Sequence, residues 1–208
     1  MDTHAVDGRT ARSLATRARI ARAAAALFTA RGYAATSVQA IAAEAGVGVQ
    51  TVYYTFKTKA AVLGEAVDQA VAGDSAPVPT LERPWVRDAL AAPDAAAQVR
   101  LQVAGTGAVM ERVAGLLEAV RGGAADPDLA ELWRTNVERR RTVQRVFADA
   151  LADRGALRPG LDAAEAADLM VGLLSPELFT LYTVHLGRSA AWWREHTADA
   201  LLRQVVGA

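Results

Sequence analysis

Residues 34–59 read AATSVQAIAAEAGVGVQTVYYTFKTK and carry the strongest structural signal in the chain. Thr36 or Ser37 can accept hydrogen bonds as the N-cap of a short helix that follows. Gly46 suits the left-handed backbone of a tight turn that ends this helix. A second short helix is predicted over Val49–Phe56. The segment therefore predicts two short helices joined by a glycine turn.

Such a helix pair is typical of the helix-turn-helix, which places its second helix in the major groove of DNA. Val52 and Phe56 can face the core, which leaves the polar side chains of this helix outside. Gln can bind an adenine edge, and Val or Thr methyl groups can contact thymine. The two lysines of the chain, Lys57 and Lys59, can reach phosphates. An ordinary helix pair with a solvated face is the alternative interpretation.

The same segment, preceded by Ala25–Phe28 and by Gly32 and Tyr33, resembles the N-terminal DNA-binding domain of TetR-type transcriptional regulators. The resemblance covers about residues 16–65. It implies a bacterial repressor that is not an enzyme and that binds a palindromic double-stranded DNA operator as a homodimer. By position, it implies that the following residues contact DNA: Ser37, Gln39, Val49, Gln50, Thr51, Tyr53, Tyr54, Thr55 and Lys59. Gly48, Gln50 and Thr55 differ from the residues common in the family, Ser, Gly and His, which leaves the operator sequence open.

The composition predicts an all-α fold with two parts. The 48 alanines favour helices, while glycine and proline are concentrated at junctions, and no segment alternates with period two. The proline-rich segment 73–84 is predicted to separate the parts. We expect a basic arm over residues 1–14, a helix-turn-helix domain over 15–72 whose first helix starts near Ala15, and a ligand-binding and dimerisation domain over 73–208.

Several classes of function are excluded by what the sequence lacks. It has no cysteine, and therefore no disulfide, thiolate zinc site or cysteine nucleophile. Its three histidines form no local metal motif, and no phosphate-binding glycine loop occurs. Asp162, Glu165 and Asp168 are interpreted as helix-capping residues rather than catalytic ones. We therefore expect no catalytic residue, metal or cofactor, no membrane segment, and a soluble cytoplasmic protein.

The charge is balanced over the whole chain but not along it. The sequence holds 23 basic and 23 acidic side chains. Residues 1–60 hold eight basic and three acidic side chains, a net charge of +5, and residues 61–208 hold fifteen and twenty, a net charge of −5. This asymmetry favours a DNA-binding first part.

The C-terminal part predicts a small-molecule site and a dimer interface. Aromatic and polar residues of the middle helices are candidates for binding an apolar or aromatic effector, although core packing is the more common role of Trp, Phe and Met. These candidates are Met110, Trp133, Asn136, Val137, Arg140, Phe147, Met170 and Glu177. The predicted dimer interface, on a helix over 162–185 kinked at Ser175–Pro176 and on the last helix, consists of Val171, Leu174, Leu178, Leu181, His185, Trp193, Ala200 and Leu201. Two alternatives stay open: a monomer whose final helices complete its own core, and a ligand-binding module without specific DNA function.

Overall fold

The computed structural model describes residues 3–73 and 78–207, and these residues form helices and turns without any strand. The predicted all-α fold is confirmed. The described α-helices are α1 (Thr3–Arg31), α2 (Val38–Glu44), α3 (Val49–Phe56), α4 (Lys59–Ala72), α5 (Pro84–Leu90), α6 (Ala95–Gly122), α7 (Pro127–Asp153), α8 (Ala163–Leu173), α9 (Pro176–Thr180) and α10 (Ala190–Val205). Part of the predicted junction, residues 74–77, lies outside the described residues.

The first helix is longer than the sequence predicted. It begins at Thr3 rather than near Ala15, so that the segment expected to be an arm continues the helix. No proline lies in this segment, and nothing else there stops a helix. Helix α1 ends at Arg31, because Gly32 has a φ of 74° and takes the left-handed conformation that closes a helix.

The chain divides into two compact units, and the first consists of Met1–Ala70 together with Gly115–Leu132. Its core is made by apolar side chains of the first four helices and of the turn between α6 and α7. The most fully buried of these are Ile20, Phe28, Ile41, Leu63, Leu116, Leu117 and Leu129. The turn segment, which the sequence placed in the C-terminal domain, is therefore part of the unit that contains the helix-turn-helix.

Tyr33 connects this turn segment to the N-terminal helices of the first unit. Its hydroxyl donates a hydrogen bond to Asp126 over 3.0 Å, and its ring stacks on Phe28. A Cβ atom at Gly123 would lie 3.0 Å from the Tyr33 ring and 2.4 Å from Leu129. Glycine at position 123 therefore permits the close approach that this contact requires.

The second unit consists of Val71–Ala114 and Trp133–Ala208. Here α6 and α7 run antiparallel, since Gln98 donates to the carbonyl of Phe147 over 2.9 Å and Gln102 to the amide oxygen of Gln144 over 2.6 Å. Phe147 also stacks on Trp85. Helix α10 packs against α8. An isolated antiparallel bridge joins residues 157 and 206.

The helix predicted over 162–185 is not continuous. Asp162 and Glu165 form the predicted capping box at the start of α8, but α8 ends at Leu173, and Ser175 caps a new helix. Pro176 explains the break, because it has no N–H to donate and its ring would clash with the preceding turn. A π-helical turn, Leu181–His185, then extends α9. The sequence predicted a kink at this point, whereas the structure has a complete break between two helices.

Candidate functional site

The turn between α2 and α3 has the conformation that the sequence predicted. Ser37 caps α2 by accepting a hydrogen bond from the N–H of Ala40 over 3.1 Å. Gly46 has a φ of 62°, and the N–H of Val47 then donates to the carbonyl of Ala42 over 3.0 Å. Gly48 is the N-cap of α3 and provides no side-chain hydrogen bond. The two helices are thus joined by a hydrogen-bonded turn of four residues.

Helix α3 presents a polar and aromatic surface on one side and is held by apolar side chains on the other. Val52 is 1% exposed and Phe56 is 4% exposed. Tyr54, in contrast, is 82% exposed. The exposed residues of α3 are Gln50, Thr51, Tyr53 and Tyr54. The exposed side chains provide amide, hydroxyl and phenol groups, which are the groups that bind base edges and phosphates.

The other predicted DNA contacts flank this surface. Ser37 and Gln39 are exposed at the start of α2, although the Ser37 hydroxyl already accepts its capping bond. Val49 and Thr55 are half-buried. The Thr55 hydroxyl donates to the carbonyl of Thr51 over 2.7 Å, which leaves its oxygen only as an acceptor. A hydroxyl used in this way has no proton to donate to a phosphate.

The structure corrects the role predicted for Lys59. Its ammonium donates to the carbonyls of Tyr33 and Thr36 over 2.9 and 3.1 Å, and it lies 3.9 Å from the centre of the Tyr33 ring. Two of its three donors therefore stabilise the turn before α2 instead of facing a phosphate. Lys57 is exposed and lies 5.4 Å from the Tyr54 ring centre, on the side of α3 that carries the exposed aromatic residues.

Arg17 is a positioning residue that the sequence did not indicate. Its Nε donates to Glu65 on α4 over 2.7 Å, and its guanidinium lies 4.6 Å from the centre of the Phe56 ring. It thereby connects α1, α3 and α4 directly behind the exposed surface. No local pattern could have shown this, because Glu65 is 48 positions away in the sequence.

The predicted effector residues are only partly brought together. Asn136 and Arg140 are one turn apart on α7, and the Arg140 guanidinium lies 5.8 Å from the Trp133 ring centre. Burial lowers the pKa of Arg140, and the nearby Glu177 carboxylate partly opposes that shift. Three of the predicted residues, Asn136, Arg140 and Glu177, therefore belong to one polar region. Met110, Phe147 and Met170 are fully buried core residues, and Val137 is half-buried.

Four of the buried polar residues that the sequence missed in this unit lie on α6 and α7. They are Gln98, Gln102, Thr106 and Gln144. A usable signal existed, because positions 98, 102 and 106 are spaced by four, as are positions 136, 140 and 144, which places each set on one helix face. Polar residues repeating on the apolar stripe of a helix indicate a polar interior.

A separate cleft lies on the surface of the second unit. It has a volume of about 520 Å³. Its lining is Arg100, Val103, Ala104, Arg194, Glu195, His196, Ala198, Asp199 and Leu202. None of the residues predicted to bind an effector lines this cleft.

The predicted dimer residues divide into two groups. Leu174, Trp193 and Leu201 are buried in the core of their own unit, so they do not offer a surface to a second chain. The sequence could not separate the two sides of these helices, because both sides are apolar. Val171, Leu178 and Ala200 are half-buried, whereas Leu181 and His185 are exposed. Further exposed apolar residues of this region are Leu169, Val184 and Leu186.

The tight turn, the capped helices and the outward polar face of α3 define a helix-turn-helix DNA-binding domain. Residues 20–66 match the family described as bacterial regulatory proteins, tetR family. Residues 20–66 therefore form a TetR-type DNA-binding domain, as their resemblance indicated, and this domain supports a function as a transcriptional regulator. A comparison with curated protein sequences gives no match.

Solved structures of similar fold cover both units. One is described as a TetR-family transcriptional regulator of Mesorhizobium loti; it is 26% identical, with a TM-score of 0.70 over 92% of this chain and 97% of that one. A regulator of Saccharomonospora viridis, solved with choline, is 22% identical, with a TM-score of 0.71 over 92% and 98%. A SmeT–triclosan complex is 21% identical, with a TM-score of 0.68 over 92% of both chains. In addition, no helix in residues 3–73 and 78–207 is long and apolar enough to cross a membrane.

Proposed function

We propose that this protein is a homodimeric repressor in which the α3 helices of two chains bind the two halves of a palindromic operator. The outward face of α3, anchored by Val52 and Phe56, is the observation that carries the proposal. Gln50 is exposed at the N-terminal end of the helix, the end that contacts base edges in helix-turn-helix proteins. An amide there forms two hydrogen bonds with adenine.

The proposed DNA contacts have different roles. Gln50, Thr51 and Val49 contact bases, while Ser37, Gln39, Tyr53 and Tyr54 contact the phosphate backbone; Thr55, whose hydroxyl proton is bound to Thr51, is left out of the phosphate contacts. Lys57, which is exposed, neutralises the phosphate that Lys59 was predicted to contact. Because Lys57 is close to the exposed ring of Tyr54, both side chains can reach the same stretch of backbone.

The second chain covers exposed apolar side chains of the second unit. Val184 is 69% exposed and Leu186 is 56% exposed, next to the exposed Leu181 and His185. Exposed apolar residues clustered in this way favour a protein interface. Two-fold symmetry then brings two α3 helices to half-sites separated by about 34–36 Å along DNA.

A small effector bound within the second unit releases the operator. It binds better to a conformation in which the two α3 helices no longer fit adjacent grooves, and it shifts the population toward that conformation. Support comes from the similarly folded proteins solved with choline and with triclosan. The buried methionines and Trp133 give the proposed site an apolar wall, consistent with an effector that has an apolar or aromatic body.

The test is a selection of bound sequences from random duplex DNA, followed by affinity measurements on the selected site. We expect a two-fold symmetric site, and we expect Gln50→Ala to lose about 1–3 kcal/mol of binding free energy on it, because one base contact is removed. Gln39→Ala is the matched control and should change affinity less. If no symmetric site is enriched, the protein is a ligand-binding module without specific DNA function.

A further inference from the structure

The interior of the second unit contains a band of polar side chains between α6 and α7. Two hydrogen bonds, from Gln98 to the carbonyl of residue 147 and from Gln102 to Gln144, fix the antiparallel register of these helices. One further turn along each helix, Thr106 is level with Arg140. One helical turn corresponds to about 5.4 Å of rise, so these layers are in contact.

We call the six residues of this band the polar cluster. They are Gln102, Thr106, Asn136, Arg140, Gln144 and Glu177. Gln102 is 0% exposed, and Thr106 and Asn136 are more than nine-tenths buried. Met170 also faces the cluster, since its sulfur lies 3.3 Å from the amide nitrogen of Gln102.

Most members of the polar cluster have polar atoms that nothing in the described protein satisfies. Buried atoms without a hydrogen-bond partner include Oε1 of Gln102, Oγ1 of Thr106, Oδ1 of Asn136, Nε and Nη1 of Arg140, and Oε2 of Glu177. A buried polar atom without a partner loses its hydration and gains nothing in return. Such atoms are rare in native proteins, and a concentration of them indicates a polar ligand.

The charged residues of the polar cluster indicate which chemical groups the ligand carries. Arg140 is a half-buried cation, and its Nε and Nη1 atoms are buried without an acceptor. Glu177 is near enough to influence Arg140 electrostatically, yet its Oε2 accepts no hydrogen bond. A cation with N–H groups that lack an acceptor favours an anionic ligand, and a carboxylate oxygen can accept a charge-assisted hydrogen bond from one of these groups.

We propose that the effector of this protein is a small carboxylate, one oxygen of which accepts a hydrogen bond from Nε of Arg140, and whose hydrogen-bond donor binds Glu177. The proposal rests on the proposed effector response and names the chemical class of ligand that produces it. Thr106 and Asn136 bind the remaining polar groups, and Met110 and Met170 pack against the apolar body. The sequence predicted an apolar or aromatic effector, and the structure adds a carboxylate group to that description.

A first experiment tests whether the polar cluster destabilises the ligand-free protein, as expected of a ligand-binding site, or stabilises it. The protein is refolded from guanidinium, which removes any co-purified ligand, and its Tm is measured. Arg140→Met removes a half-buried cation with two N–H groups that lack an acceptor, which should stabilise the ligand-free protein, so we expect Tm to rise by about 2–4 °C. Thr106→Val should also raise it, since the hydroxyl has no partner.

Arg134→Met is the matched control, because Arg134 is on the same helix with an exposed side chain paired to Glu138. It should change Tm by less than about 1 °C. A lower Tm for both Arg140→Met and Thr106→Val would show that these polar groups stabilise the fold, and would overturn the proposal.

A second experiment tests the ligand class with compounds of matched shape. Benzoate is compared with benzamide, and phenylalanine with phenylalaninamide, at millimolar concentration. We expect at least one carboxylate to raise Tm by about 2 °C or more, its amide to have no effect, and Arg140→Met to lose the shift. Equal shifts for acid and amide, or no shift from either carboxylate, would contradict a carboxylate site.

Operator binding, measured by fluorescence anisotropy with the same compounds, separates this inference from the proposed function. A carboxylate that raises Tm but does not weaken operator binding would support the carboxylate site and contradict the proposed release of the operator. A neutral compound that releases the operator, with no effect of either carboxylate, would support the release mechanism and overturn the carboxylate site.

Discussion

The two units place their polar side chains in opposite ways. On α3 the apolar residues Val52 and Phe56 are buried, and the hydrogen-bonding groups are outside. In the second unit, Gln98 and Gln102 are fully buried on α6, together with polar atoms that have no protein partner. One unit is a packed core with a polar surface, and the other contains a polar interior.

The proposed function explains this difference by the size of what each unit would bind. DNA is a rigid polyanion, and a folded domain contacts it from outside with groups supported by a complete core. A small molecule binds strongly only when most of its surface is enclosed, so its polar partners must lie inside the protein. The first arrangement adds little cost to folding, whereas the second leaves polar groups unpaired until the ligand binds.

The largest expected effect tests whether the second unit has a tightly packed core beside its polar cluster. Trp193 is 0% exposed and meets Phe179 edge-on at 5.1 Å. We expect Trp193→Ala to lower the free energy of unfolding by about 3–5 kcal/mol, because it leaves a large cavity. Urea unfolding at fixed protein concentration measures this.

Trp192→Ala is the control for this substitution. Trp192 is half-buried and stacks on His196 at 3.8 Å, near the exposed apolar residues. Its loss should cost about 1 kcal/mol or less within one chain. Equal losses for the two substitutions would mean that Trp193 is not the core residue described above.

The next effect distinguishes the two lysines of the first unit. Lys59→Met removes two charge-assisted hydrogen bonds to carbonyls and a contact with the Tyr33 ring. We expect it to lower the free energy of unfolding by about 1.5–3 kcal/mol, as measured by chemical denaturation.

Lys57→Met should instead affect DNA binding and leave stability almost unchanged. The free energy of unfolding should change by less than about 0.5 kcal/mol, while the salt dependence of operator binding should decrease by roughly one phosphate contact. If Lys59→Met reduces the salt dependence while stability is unchanged, the structural role of Lys59 is wrong.

The smallest effect concerns the contact between Tyr33 and Asp126 in the first unit. Burial, followed by the hydrogen bond to Asp126, raises the pKa of Tyr33 to about 12 from 10.0. The folded protein therefore favours the neutral phenol. Its stabilising contribution is complete below pH 10 and is lost as the pH rises from 10 to about 12, where the unfolded chain ionises first.

Tyr33→Phe should lower the free energy of unfolding by about 0.5–1.5 kcal/mol at pH 8, through loss of one hydrogen bond. The difference from the unsubstituted protein should shrink between pH 10 and pH 11.5 in urea titrations. Tyr54→Phe, at an exposed position, serves as the control. A difference that grows with pH would show that the hydrogen bond does not favour the neutral phenol.

Features that depend on neighbours in sequence could be predicted well. Gly46 takes the left-handed conformation, and Ser37 and the pair Asp162–Glu165 cap helices as expected. Each of these involves backbone groups only a few residues away. The apolar anchors Val52 and Phe56 were also predicted, because helical periodicity alone determines which face they share.

Features that depend on distant partners could not be predicted. Lys59 was predicted to contact a phosphate, because its acceptors at Tyr33 and Thr36 are more than twenty positions away in the sequence. The sequence placed Leu174, Trp193 and Leu201 at an interface, because a helix that is apolar on two sides does not show which side packs inward. The association of residues 115–132 with the first unit was also not predicted, because their partners in that unit are distant in the sequence.

By itself, the sequence determined the all-α fold and the TetR-type domain, because helix propensity, caps and a glycine turn act over a few residues. Only the tertiary structure decided which polar groups of α6 and α7 are buried without partners. That choice depends on the register between α6 and α7, which two hydrogen bonds between residues more than forty positions apart establish. A side chain's surroundings are set by packing between helices, and packing is not a local property.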